Sequence, residues 1–173
     1  MICCLVSESA RGDARLIEIA RACSPRVEAH GDRVIVFDAS GLERVIGTPA
    51  DIAHAVDALA REHGIGVRVA LASTRVAAWL LAHAARSTIT VVTAAETRST
   101  VAALPVTALS VLPGSTPRRR RSASGTQEQS IATLMRWGLR SLGEVAALPR
   151  ADVQTRLGPE GCLLYTSPSP RDS

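Results

Sequence analysis

SPRVEAHGDRVIVFDASGLERVIG, residues 24–47, is the stretch from which the rest of the chain can be read. At its centre Val34, Ile35, Val36 and Phe37 form a β-branched and aromatic run, with Gly31 and Asp32 before it and Asp38, Ala39, Ser40 and Gly41 after. Such a run between two turn-forming clusters is a buried strand. Asp32 reads as a turn residue, and Asp38 as a side chain that caps the turn after the strand.

Working outward, Cys3 and Cys4 lie in the opening MICCLVSES and read as small apolar residues of a strand. Gly12 and Asp13 look like a helix start; Leu16, Ile17, Ala20 and Cys23 mark one face, and Pro25 ends the helix. Downstream, Thr48 supplies an N-cap and Pro49 the first helical position. Ile52, Val56 and Leu59 then recur at helical spacing as far as Gly64. Val67, Val69 and Leu71 alternate with Arg68 and Ala70 as a strand; Ser73 and Thr74 open a helix striped by Val76, Leu80 and Ala84; residues 89–92 form a further short strand. This α-β-α-β-α-β order with short loops predicts an α/β (α+β) layer, helices packed on a sheet.

Residues 93–109 read as a short helix leading into Leu104, Pro105 and Val106. Residues 110–126 are rich in Pro, Ser, Gly and Arg, including Arg118, Arg119, Arg120 and Arg121, and are expected to be a flexible linker. Beyond it Ile131, Leu134, Met135, Leu139, Leu142, Val145, Leu148 and Leu157 describe two or three short helices around Gly138 and Gly143. The final residues 162–173, CLLYTSPSPRDS, lack periodicity and resemble translated adapter sequence from library preparation, so they are read as a non-native tail.

Composition narrows the class. Apolar residues make up 46% of the 173, but aromatics only 2%, so the core must be built from Val, Leu, Ile and Ala. Every basic side chain is Arg, and without the run 118–121 the basic and acidic residues balance at 16 each. Any electrostatic case for nucleic acid is therefore local. The cysteines show no CxxC spacing and no Cys/His cluster of the kind that binds zinc, which fits a reducing cytosol. Arg68, Arg75 and Arg86 interrupt the most apolar region before it reaches the ~20 residues of a membrane helix.

The string SPRVE…FDASGLERVIG resembles the middle of the palm in Y-family DNA polymerases, the UmuC/DinB superfamily. It is similar in particular to the ImuB-type branch, whose members carry a comparable FSPRVE…LDLTGLERLFG string. VRVALA with Ala77, Ala78 and Ala82 is similar to the family's next strand–helix segment, and Leu104-Pro105-Val106 to its exit from the palm. GLRSLGEVA, residues 138–146, resembles the helix-hairpin-helix of the polymerase thumb, and the likeness continues through Gly161. The resemblance implies a partial ferredoxin-like palm over 1–109, a linker over 110–126, a small helical thumb-like segment over 127–161, and the tail. Family members place a fingers domain between the first palm strand and the helix before SPRVE, where this chain has only about a dozen residues. The chain is accordingly read as an internal piece of a longer protein.

Phosphoryl transfer by a polymerase uses two divalent ions clamped by carboxylates, because such hard cations want oxygen ligands. Active family members supply a pair through S-x-D-E-x-x-x-D at the central strand. With the last Asp set on Asp38, the Asp and Glu positions fall on Arg33 and Val34. A cation and an aliphatic cannot bind magnesium. No catalytic residue, metal ligand or cofactor is therefore expected, magnesium entering only if the chain's acids lie elsewhere. His30, His54, His63 and His83 are scattered without a ligand or triad pattern, and Trp79 and Trp137 sit in helical patterns as core or interface anchors.

For DNA, the resemblance points to Arg136, Gly138, Leu139, Arg140, Ser141 and Gly143. Glycines let backbone approach a phosphate, and a following helix start offers unpaired amides. Such contacts hold DNA without reading sequence. The run Arg118, Arg119, Arg120, Arg121 is a further phosphate candidate, although charge runs in linkers are usually only solvated. The implied function is a cytoplasmic DNA-repair protein of translesion synthesis and SOS mutagenesis, holding damaged or primed DNA without catalysis. Its implied partners are a replicative-type polymerase, an accessory mutagenesis protein and the sliding clamp, with no membrane. Two alternatives stand: an active translesion polymerase with its acids outside this stretch, and an unrelated α/β binding domain.

Overall fold

Six residues at the front, Ile2–Ser7, form β1, the strand on which the first part of the molecule is built. The computed structural model describes residues 1–9, 13–112 and 120–149, with side chains in the last stretch from residue 128 onward. It divides into two units, Met1–Arg98 and Ser99–Ser173.

In the first unit β1 is followed by α1 (Leu16–Cys23), β2 (Val27–His30), β3 (Val34–Asp38), α2 (Pro49–Glu62), β4 (Val67–Ala72), α3 (Arg75–Ala84) and β5 (Ile89–Val91). The sheet runs β2-β3-β1-β4-β5, antiparallel except for the β4–β5 pair. β1 is central because it is apolar on both faces: successive side chains alternate sides, and Cys3, Cys4, Leu5 and Val6 are all buried. Cys3 and Leu5 join Ile35, Phe37, Val67, Val69 and Leu71 in a core closed by Leu16, Ile19 and Ala20 of α1 and Ile52, Ala53, Val56 and Ala60 of α2. Cys4 and Val6 point to the opposite face with Ala70, where α3 contributes Ala77, Ala78, Trp79 and Leu81. Burial pushes the Cys4 thiol up to about 12 and raises Cys3 as well.

The expected α+β layer is borne out, with one addition. Residues 27–30 form β2, which the sequence reading passed over; it pairs with β3 in a hairpin, His30 opposite Val34. Gly31, at φ +67°, opens the three-residue loop. Thr48 caps α2 in a reciprocal capping box with Asp51, Thr74 caps α3, and the Asp38 carboxylate accepts the Ser40 amide at 2.9 Å, as the sequence predicts. Gly12 falls outside the described residues; Asp13 accepts the Arg15 amide just ahead of α1.

The boundary between the units falls inside α4 (Ala94–Ala102). In the second unit a short 3-10 helix, Val106–Val111, is followed by α5 (Arg120–Arg136) and α6 (Leu142–Ala146). Val106, Leu109, Ile131, Leu134 and Val145 make its core, with Leu139 and Leu142 packed against it. Of the stretch 110–126, read as a linker, the start belongs to the 3-10 helix and residues 120–126 are helical, while 113–119 lie outside the described residues. Arg, Gln and Ala favour helix strongly enough to outweigh a single Gly and scattered Ser. Among the described residues no helix is long and apolar enough to cross a membrane.

Candidate nucleic-acid interface

Two places bear on the expected chemistry, one in each unit. In the first, β1 ends where β3 and β4 begin. Val6 lies between Val34 of β3 and Arg68 of β4, and the Ser7 amide donates to the Arg33 carbonyl at 2.7 Å. Arg33 is exposed in the hairpin loop; Val34, paired with Val6, is 7% exposed. β1 itself, ICCLVS, contains no carboxylate. Among the described residues no group of three or more His, Cys, Asp and Glu could hold a metal ion. The magnesium implied by the polymerase resemblance does not fit this sheet end: the donors needed are oxygen anions, and the side chains supplied are a guanidinium and an isopropyl group.

A polar network occupies the α3 face beside it. Arg75 donates to Glu28 Oε1 at 2.5 Å, and the same nitrogen lies 2.8 Å from His30 Nε2. The His30 ring meets Trp79 edge-on at 4.7 Å, and Trp79 stacks on His83 at 5.2 Å. His83 Nδ1 lies 2.8 Å from the Trp79 carbonyl, which can only accept, so the proton sits on Nδ1. Arg68 Nη1 donates to the His83 carbonyl at 3.0 Å. Burial lowers the His83 pKa, the Trp79 carbonyl opposes this, and the Arg68 and Arg33 charges lower it further. Histidines scattered in sequence are thus brought together around a buried tryptophan, which only the β2–β3 pairing could reveal.

The second place is the turn between α5 and α6. The Leu139 amide donates to the Leu134 carbonyl and the Gly138 amide to the Met135 carbonyl, with Gly138 at φ +83°: a Schellman ending in which only Gly sits without strain. Arg136, Gly138 and Arg140 are exposed, Leu139, Ser141 and Gly143 partly buried, and Trp137 is 38% exposed. Arg120 and Arg121 open α5; Arg118 and Arg119 lie outside the described residues.

At the start of α6 four backbone amides have partners within the chain. Glu144 Oε2 accepts the Arg140 amide at 2.5 Å and the Ser141 amide at 3.1 Å, while Ser141 Oγ accepts the Glu144 amide. The Leu142 amide donates to the Leu104 carbonyl. These four amides are engaged within the chain. The two amide bonds hold the Glu144 carboxyl below its usual range. The S-x-x-E pattern of Ser141 and Glu144 is a capping-box signature, the sequence signal for this closure. Gly143 also has a packing reason: a Cβ there would lie 3.0 Å from the Ala102 Cβ and 3.1 Å from its carbonyl oxygen.

Solved structures define the class. The chain resembles DinB from Sulfolobus solfataricus (TM-score 0.63, 13% identity, 87% of this chain and 41% of that one). It likewise resembles a DinB-family error-prone DNA polymerase from Sulfolobus solfataricus (0.63, 14%, 87% and 42%) and a Dbh ternary complex (0.62, 13%, 87% and 42%). The fold is that of the Y-family DNA polymerase palm.

Within that class the sequence points one way. It is 32% identical over 137 residues to Protein ImuB of Caulobacter vibrioides strain NA1000/CB15N, with the same figures for the strain CB 15 protein. The expected resemblance to a Y-family, ImuB-like protein is borne out. The match covers 78% of this chain and 26% of that protein, so the chain spans about a quarter of the length of the curated relatives it matches. No protein-family model matches the chain.

Proposed function

We propose that this chain is the DNA-holding, non-catalytic part of an ImuB-like protein acting in translesion synthesis and damage-induced mutagenesis. The observation that carries the reading is the sheet end, where Arg33 and Val34 stand at positions for which the polymerase resemblance calls for Asp and Glu. Two-metal phosphoryl transfer needs those oxygens. DNA is held instead through side chains of the α5–α6 turn, Arg136 and Arg140, with Gly138, Leu139, Ser141 and Gly143 shaping the hairpin. The arginines at 118–121 add phosphate contacts. Contacts of this kind are independent of base sequence. The partners follow the ImuB resemblance: a replicative-type polymerase, an accessory mutagenesis protein and the sliding clamp, in the cytoplasm.

The test is anisotropy of a labelled primer–template as salt is raised. Binding should fall steeply, with a log–log slope of about −0.9 per phosphate neutralised. Arg136→Glu with Arg140→Glu should weaken it at least ~10-fold. No binding at low salt overturns the DNA reading and favours an α/β domain with another ligand. Magnesium-dependent primer extension by the purified protein overturns the non-catalytic half and restores the polymerase alternative.

A further inference from the structure

We propose that the end of the sheet where β1 meets β3 and β4 is a phosphate seat, formed by Arg33 and Arg68 beside His83. The inference rests on the preceding reading only in that carboxylates are replaced there; it does not require the α5–α6 turn to bind DNA.

The register brings the two arginines to one place. Val34 and Arg68 flank Val6 on opposite sides, so their backbones are two strand spacings apart, roughly 10 Å. Arg33 precedes Val34 directly. A phosphate is small enough to be reached by both guanidiniums across that gap, and guanidinium is the side chain best matched to phosphate oxygens. Arg68 is oriented beforehand by its bond to the His83 carbonyl, leaving its other nitrogens. Arg33 stands exposed in the hairpin loop.

Among the described residues no ion pair joins a carboxylate to Arg33 or Arg68. The acids nearest in sequence are Glu8, whose carboxylate lies against Gly66 two residues before Arg68, and Asp32, which precedes Arg33. The described ion pairs join Arg15 to Asp13, Arg26 to Asp38, Arg61 to Asp57, and Arg75 and His30 to Glu28; none involves Arg33 or Arg68. The His83 ring feels both guanidiniums, the second and smaller reason after burial that its pKa is lowered. An anion seated there relieves that field and favours the protonated ring. The polarity of the site is thus reversed: side chains now supply the positive charge that bound metal ions would bring to a phosphate.

The phosphate can belong to a DNA backbone or to a nucleoside triphosphate, and two arms separate them. The whole chain is titrated, without divalent metal, with dATP and with a short DNA duplex, following backbone amide shifts and dissociation constants. The variants are Arg33→Glu, Arg33→Lys and, as a control in the other unit, Arg140→Glu, each checked by its amide spectrum for the native fold. Arg33→Glu should weaken whichever probe the seat takes at least ~10-fold, and Arg33→Lys only slightly. Shifts should centre on Ser7, Arg33, Arg68 and His83. Arg33→Glu binding both probes as the unaltered chain does overturns the proposal. If Arg140→Glu alone weakens duplex binding and Arg33→Glu changes neither arm, the DNA reading stands and the seat falls. Loss of dATP in Arg33→Glu by a chain that binds no duplex leaves the seat standing and the DNA reading fallen.

Discussion

The Ser7 amide donates to the Arg33 carbonyl at 2.7 Å, tying the end of the central strand to the hairpin loop of its neighbour. That bond holds Arg33 and Val34 beside the end of β1. The fold is that of the Y-family polymerase palm, with Arg33 and Val34 at this end of it.

Gly143 packs closely against Ala102. Replacing it with Val drives a branched side chain into Ala102, whose carbonyl oxygen is already 3.1 Å from an added Cβ and cannot move without α4. Gly143→Val should cost about 1–3 kcal/mol, above the small gain from lost glycine flexibility. Amide hydrogen exchange along α5 and α6 checks it: protection there should fall while the sheet amides of the first unit keep theirs.

Arg75→Met removes the bonds to Glu28 and His30 that fasten the edge strand β2. Both members of the ion pair are about half exposed, so solvent screens it and the loss should stay at or below ~1 kcal/mol. Faster exchange of the Ala29 and His30 amides, without a change at β4, is the expected readout.

The cysteines of β1 set an alkaline limit on the first unit. Burial raises Cys3, and pushes Cys4 to about 12, while an unfolded thiol titrates near 8.5. The folded values are the raised ones, so stability is full below the unfolded value and is lost as pH climbs toward the folded one. The slope is up to ~1.4 kcal/mol per pH unit for each thiol. Urea midpoints followed by circular dichroism should decline above about pH 9, and Cys4→Ala should flatten that decline.

Much of this arrangement could be read from sequence because local signals agreed with the fold. Val34, Ile35, Val36 and Phe37 are flanked by turn formers, Thr48 and Pro49 start a helix, and Arg68 interrupts an alternating strand. What escaped was non-local or weakly patterned. β2 is four residues, VEAH, with only Val27 packed against the core, and its strand character comes from pairing with β3. The His30–Trp79–His83 stack joins residues about fifty positions apart through that pairing. The start of α5 lay hidden among arginines and serines whose composition suits a linker equally well. At the α5–α6 turn the glycines were visible, but Glu144 closing on the Arg140 and Ser141 amides required reading the capping box as a competitor for phosphate.

The central claim is that the end of β1 and β3 does not hold a divalent ion. Titrating the chain with Mn²⁺ and recording paramagnetic broadening of its backbone amides tests this directly. The account predicts that Ser7, Arg33, Val34 and Arg68 keep their line widths at submillimolar metal. Selective broadening of those amides, reversed by excess Mg²⁺, would contradict it.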